Sequence, residues 1–237
     1  MVGRLFHWRP LGEKCDRGTA MKYLIIVVEG QTEQEFVNDV LRPYFAEHGI
    51  YHVSARLIRT SRTGKGGFVN FQHLQNDVNK ILAKEPDAIV TTFIDFFRCP
   101  NNMPNYDEAI QKDNHQEAVE ILEEGMADLF NNHRFIPYIQ LHEFEALLFS
   151  SDKGFKAYWE DDLVEKAVGI IEEFPNPEDI NSRPEKAPSK RIIEIKSDYE
   201  KVAEGNLLAL EIGIDEMLTR CPRFQAWIEN LKSQFAS

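Results

Sequence analysis

Cysteine is scarce in this chain. Cys15, Cys99 and Cys221 are its three thiols, and no two stand in C-x-x-C spacing. That argues against a disulfide framework and against a zinc enzyme, and the expectation is reduced thiols in a cytoplasmic protein. Long apolar runs are missing too. Nothing approaches the roughly 20 consecutive residues that a membrane helix needs, so no membrane partner is expected. Basic residues are outnumbered, 27 Lys and Arg against 39 Asp and Glu, for a net charge of −12. This argues against a generic nucleic-acid coat, but not against an enzyme whose acidic site is neutralised by a divalent metal. No internal repeat is visible. The Walker order G-x-x-x-x-G-K-[ST] is absent from the basic, glycine-rich stretch at residues 60–67. What the chain does have is apolar mass. It is 43% hydrophobic and 11% aromatic over 237 residues, enough for one sizeable core with an attached subdomain.

The first twenty residues mix Trp, Pro, Gly and Arg without a period and lack the apolar segment of a signal peptide. Met21 then opens the first strand. The expectation is that Met21 is the biological start, with residues 1–20 an over-long translation or a disordered tail.

The chain is organised around residues 22–40, KYLIIVVEGQTEQEFVNDV. The run Tyr23 to Val28 is short and rich in β-branched residues, and reads as a buried strand. Glu29 and Gly30 follow at once, which puts a carboxylate at the carboxyl end of a strand, where open α/β sheets bind ligands. Thr32 is expected to cap a helix of about 34–48, with Glu35 completing a capping box. Glu33 then lies on the inner face. A second apolar strand, Ala88 to Ile94, ends in Asp95 in the same way. Two such acids on neighbouring parallel strands come within reach of one cation, although an Asp ending a strand also caps turns.

Between them, residues 51–59 read as a strand and 68–84 as an amphipathic helix. Arg56 and Arg59 join residues 60–67 in the densest positive cluster of the chain. It reads either as a phosphate-contacting loop or as a connection with solvated charges. Further on, residues 107–131 predict one long helix and 135–141 a strand. A short helix follows, on which His142 and Glu145 share a face, with Glu143 beside them. These three ionisable groups complete a metal site, orient one, or simply start a helix. Residues 174–188 hold four prolines and read as a linker. Ser189 is the expected cap of the next helix. Lys190 and Arg191 sit in its first turn, where positive charge opposes the dipole unless an anion compensates. Helices of about 206–220 and 222–235 close the chain.

Taken together, VEGQTEQEFV (28–37), TTFIDFF (91–97), FIPYIQLHEFEALLF (135–149), PSKR (188–191) and RCPRFQAWI (220–228) resemble a TOPRIM-like family of bacterial proteins. That family carries a domain of unknown function related to overcoming-lysogenization-defect nucleases and to abortive-infection partner proteins. The resemblance implies an α/β, Rossmann-like, mostly parallel sheet over residues 21–150 and a helical extension over 151–237. It implies Glu29, Glu33 and Asp95 as metal ligands and catalytic acids, with Mg²⁺ or Mn²⁺ as cofactor. Lys190 is the implied basic residue at the scissile phosphate, and Arg59, Arg62, Lys65 and Arg191 are candidates for substrate contact. Phe97 stands where the second aspartate of an Asp-x-Asp pair would be, unless Glu143 or Glu145 substitutes. Two functions follow. One is a metal-dependent nuclease acting on DNA or RNA in phage defence, beside an AAA-type ATPase. The other is a degenerate module that only docks to such an ATPase. The chain is too short for the strand-passage domains of a topoisomerase.

Overall fold

The computed structural model describes residues 22–59, 68, 70–180 and 185–236. The leader before Met21, and Arg62 and Lys65, lie outside the described residues. The strands are β1 (Tyr23–Val28), β2 (Val53–Leu57), β3 (Ala88–Asp95), β4 (Phe135–Ile136) and β5 (Ile139–Gln140). All their pairings are parallel, in the order β2-β1-β3-β4, with β5 also on β3. The helices are α1 (Gln31–Phe36), α2 (Arg42–Glu47), α3 (Phe71–Lys84), α4 (Tyr106–Ala109), α5 (His115–Phe130), α6 (Lys153–Tyr158), α7 (Asp161–Glu173), α8 (Pro188–Ile195), α9 (Lys201–Ile212), α10 (Ile214–Arg220) and α11 (Pro222–Ser233). The architecture is the expected one, an α/β fold with a parallel sheet flanked by helices. No helix among the described residues is long and apolar enough to cross a membrane.

The two-residue period of a strand sends alternate side chains of β1 to opposite faces. Leu24, Ile26 and Val28 join the core that holds Phe36, Phe93, Phe224 and Trp227. Ile25 and Val27 join the core that holds Leu74, Val78, Leu122 and Met126. Both faces are covered, which is why the strand reads as a continuous apolar run. Residues 151–237, expected as a helical extension, contribute Phe155, Leu208, Phe224 and Trp227 to the same core as β1. Trp227 lies flat against Tyr138 and Phe93, with ring centroids 4.3 and 5.4 Å apart.

Several boundaries differ from the sequence expectations, each for a local reason. Thr32 is not a cap. The helix begins at Gln31 on Gly30, with no side-chain cap bond, and Thr32 is buried inside it. Its continuation loosens into a π segment, Val37–Leu41, before α2. Ser189 is not a cap either, because Pro188 takes the first helical position behind Ala187. The expected 107–131 helix breaks between α4 and α5, where the Asn114 side chain accepts a hydrogen bond from Gln116 N at 2.9 Å; Asn favours caps over helix interiors. The expected 135–141 strand breaks at Pro137, which has no N–H to give. The Thr92 hydroxyl bridges that gap, accepting from Tyr138 N at 2.9 Å and donating to Tyr138 O at 2.8 Å. Gly213, at φ 79°, divides the expected 206–220 helix, and α9 starts five residues earlier than expected, at Lys201.

Helix α9 is held close to α6. A methyl group on Gly154 would meet Leu208 O at 2.7 Å and Ile212 Cγ1 at 3.1 Å. The carbonyl belongs to a helix and cannot swing aside. Gly154→Ala is therefore expected to destabilise the protein by about 1–3 kcal/mol, the usual cost of overpacking, read as a lower urea midpoint. An unchanged midpoint would show that α6 and α9 can part.

Candidate functional site

β1 connects to β2 on one side and β3 to β4 on the other, so the crevice between the carboxyl ends of β1 and β3 is the topological switch point, where such sheets bind ligands. Val28 is in register with Phe93. Glu29 and Asp95 therefore end neighbouring strands on the same edge, as the sequence predicts. Glu33 reaches the edge from the first turn of α1 and is 4% exposed. Gly30 between them is in extended conformation, φ −141° and ψ −177°, so no left-handed turn demands glycine there. A Cβ at that position would stand 3.0 Å from Glu33 Oε2; the missing side chain leaves room for the carboxylate.

A fourth acid comes from Phe144–Ser150, a 3₁₀ turn after β5. Glu145 is wholly buried, and the Lys201 ammonium stands against its Oε2. The cation among these acids is Lys201, the first residue of α9. Its Nζ is 3.2 Å from Glu145 Oε2, 3.8 Å from Asp95 Oδ2 and 3.9 Å from Glu33 Oε1. The other Asp95 oxygen accepts from Phe144 N at 3.0 Å.

Charge is crowded here, and the titration behaviour follows. Burial pushes Glu29 up to about 7, with the neighbouring Glu33 charge adding to it; Lys201 and the backbone N–H groups of Phe68 and Asp95 pull the other way. Burial likewise raises Asp95, against the pull of Lys201 and with further push from Glu33, Glu29 and Glu145. Glu145 rises to about 7 through burial, again opposed by Lys201. Burial works against the Lys201 charge, but Glu145, Asp95 and Glu33 outweigh it and hold the ammonium protonated above its usual range. Four carboxylates thus share one ammonium, and near neutral pH part of the remaining charge is suppressed by bound protons.

The other sequence candidates fall into place around this cluster. Glu143 points elsewhere and accepts from Ser189 N at 3.0 Å. His142 does not share a helix face with Glu145. It lies outside the 3₁₀ turn in left-handed backbone, φ 68°, with its ring 5.4 Å from that of His115. Lys190 is exposed on α8. Arg191 turns away to Phe174, 4.8 Å from the ring centroid, and to Glu173 at 3.7 Å. Arg59, Arg56, Lys80 and Lys84 line an open groove of about 460 Å³ beside the edge strand β2, with Asp77 and Glu85 among them. The residue that sequence reasoning missed is Lys201. A lysine in the first turn of a helix opposes the dipole, as at Lys190 and Arg191, but the apolar period shows this helix only from about residue 206, so the sequence does not put Lys201 in a first turn.

Among the described residues no three His, Cys, Asp or Glu side chains stand as a ready metal cage. The donor chemistry nevertheless suits a hard dication, since the ligands are carboxylate oxygens and their negative charge exceeds the single positive charge of Lys201.

A family model described as "Domain of unknown function (DUF4276)" matches residues 28–232. Among solved structures, the chain is similar to the C-terminal region of the Xanthomonas campestris pv. campestris OLD protein. The two share 12% identity over 89% of this chain and 98% of that one, with a TM-score of 0.39. No curated protein matches the sequence.

Proposed function

The chain belongs to the DUF4276 family, and we propose that its acidic sheet edge is the centre of a Mg²⁺- or Mn²⁺-dependent phosphodiesterase acting on nucleic acid. The observation that carries this reading is the meeting of four carboxylates, from two strand ends and two following turns, at the switch point of a parallel sheet. The TOPRIM resemblance of the motifs points the same way. Glu29, Glu33 and Asp95 would hold the ion, with Glu145 supplying the carboxylate that Phe97 cannot. When bound, the ion supplies Lewis acidity and an acidified water. The protein's own contributions are separate from that. Glu29, pushed up to about 7 in the crowded acid cluster, would give up its proton on taking the ion, so binding should tighten as pH rises. Lys201, rather than Lys190, carries the positive charge beside the acids, where it can stabilise charge developing on a phosphate. Arg56 and Arg59 lie on the flank of the same edge.

The test is cleavage of single- and double-stranded DNA and RNA, tRNA included, with Mg²⁺ or Mn²⁺ and with EDTA as control. Metal-dependent cleavage is expected, and its absence on every substrate would reject the reading. Arg59→Ala should weaken binding about equally across sequences and reduce the salt slope by about one, as expected for one lost phosphate contact. An unchanged slope in a filter-binding series would take Arg59 out of the substrate path.

One observation favours a second reading: Lys201 already sits at the cation position and Phe97 replaces an acid. In that case the chain is a docking module for an ATPase partner in bacterial phage defence. Calorimetry separates the two readings, because a module of this kind gives no heat with millimolar Mn²⁺.

A further inference from the structure

Directly beyond Asp95 the chain builds a second concavity. Phe96, Phe97, Arg98, Lys112, His115 and His142 line a cavity of about 290 Å³. It is tied rigidly to the acidic edge. Phe96 N donates to Gln140 O at 3.0 Å, and Phe97 N donates to His142 O at 2.8 Å, so the aromatic wall moves with the end of β3. The rings meet edge to face, Phe96 to His115 at 5.6 Å and His115 to His142 at 5.4 Å. Arg98 lies over the Phe97 ring at 5.1 Å. Both Arg98 and His142 hold left-handed backbone, φ 62° and 68°, an arrangement that costs energy and clusters at ligand-holding positions. Nδ1 of His115 is buried without a hydrogen-bond partner.

The chemistry narrows the ligand. Burial lowers both imidazoles, His142 to about 4 with His115 assisting, so at working pH each offers one N–H donor and one bare nitrogen. Flat aromatic walls, neutral edge-reading nitrogens and two cations, exposed Arg98 and half-buried Lys112, suit a planar heterocycle carried on a phosphate chain. The volume sits near the lower end, roughly 300 Å³, of ordinary small-molecule sites, which is room for one base and not for a pair.

We propose that this cavity seats a single unstacked nucleobase next to the phosphate held at the acidic edge, with Phe97 as stacking platform and His115 and His142 reading the edge of the base. On this view Phe97, the departure from the Asp-x-Asp pattern, has exchanged a metal ligand for a base contact. Enzymes that act on nucleic acid at single-stranded positions hold extruded bases in this manner, between aromatic side chains and hydrogen-bonding groups. The place of the cavity in a reaction rests on the phosphodiesterase reading; its affinity for a base does not.

The experiment therefore starts without metal or cleavage. Adenosine, guanosine, cytidine and uridine 5′-monophosphates are titrated into the full chain while the ring resonances of His115 and His142 are followed by NMR, with ribose 5-phosphate as control. At least one nucleotide is expected to shift both rings, ribose 5-phosphate to shift neither, and Phe97→Leu to weaken the nucleotide about ten-fold. Phe97→Leu keeps the bulk and loses the ring, and its thermal midpoint reports whether the fold survives; if it does not, Lys112→Ala serves as the second variant, with several-fold weaker binding expected. No shift with any nucleotide, equal shifts with ribose 5-phosphate, or unweakened binding in the folded variants would overturn the proposal. If nucleotides bind as expected while the wild type cleaves nothing, the phosphodiesterase reading fails and the base site stands. If cleavage occurs but no nucleotide moves the histidines, the reverse holds.

Discussion

Glu29→Gln is expected to lower Mn²⁺-supported phosphodiester cleavage by roughly a thousand-fold, about 4 kcal/mol of transition-state stabilisation, and to do so without loss of fold. The amide keeps the shape of the side chain and can still accept from the backbone at Asp95, but it offers a neutral ligand where the ion needs a charged one. The same change removes the repulsion between Glu29 and Glu33 that helps push Glu29 up to about 7. At pH 8 the variant should therefore melt no lower than the wild type, because it no longer holds a raised carboxylate in its charged form. Cleavage equal to wild type would remove the metal centre as the reacting group. A large fall in melting temperature would show that Glu29 is a structural acid.

Lys201→Met should produce the opposite pattern, a stability defect that a metal can mend. Removing one partner of a buried pair strands the other charge, and the low end of that cost, about 3 kcal/mol, applies because Lys201 is itself 38% exposed. The defect should depend on pH. Glu29 and Glu145 titrate near 7 when folded and near 4.3 when unfolded. Each therefore contributes stability that is fully present below about pH 4.3 and is lost as pH rises through 7, on the order of 3 kcal/mol over the interval. Lys201 stays charged across that range and offsets the loss. Without it, the protein should melt close to wild type at pH 5.5, where the acids can take protons, and far lower at pH 8. Mn²⁺ should restore the variant at pH 8 and do little at pH 5.5, because protons compete for the same oxygens. Melting curves at the two pH values, with and without Mn²⁺, check all four expectations. Coincident curves for variant and wild type at pH 8 would mean that Lys201 neutralises nothing.

The strands and the first three acids were legible because each depends on a short local pattern. A β-branched run followed by an acid puts that acid at a sheet edge whatever happens elsewhere, and β1 and β3 both obey. Lys201 was not legible as a site residue, because its role depends on where α9 begins. That start lies five residues before the apolar period becomes clear, and no side-chain cap announces it. The helical spacing of Phe144, Leu147 and Leu148 puts His142 on a helix by sequence alone. The left-handed turn that carries it off to His115 has no glycine or asparagine to announce it. Pro137 could have revealed the break between β4 and β5, but the hydroxyl of Thr92 that spans the gap comes from another strand.

The position of Lys201 late in the chain has a bearing on how the molecule is made. Glu29, Glu33, Asp95 and Glu145 leave the ribosome well before their counter-ion does, and so do the strand residues whose outer face later meets Phe224 and Trp227. A nascent chain halted before α9 would leave open the part of the sheet face that Phe224 and Trp227 cover, and would leave the acids without their counter-ion. Synthesis must run almost to the last helix before the acidic edge can carry charge in a folded setting. The acidic edge is thus completed late, although Glu29 and Glu33 are translated early.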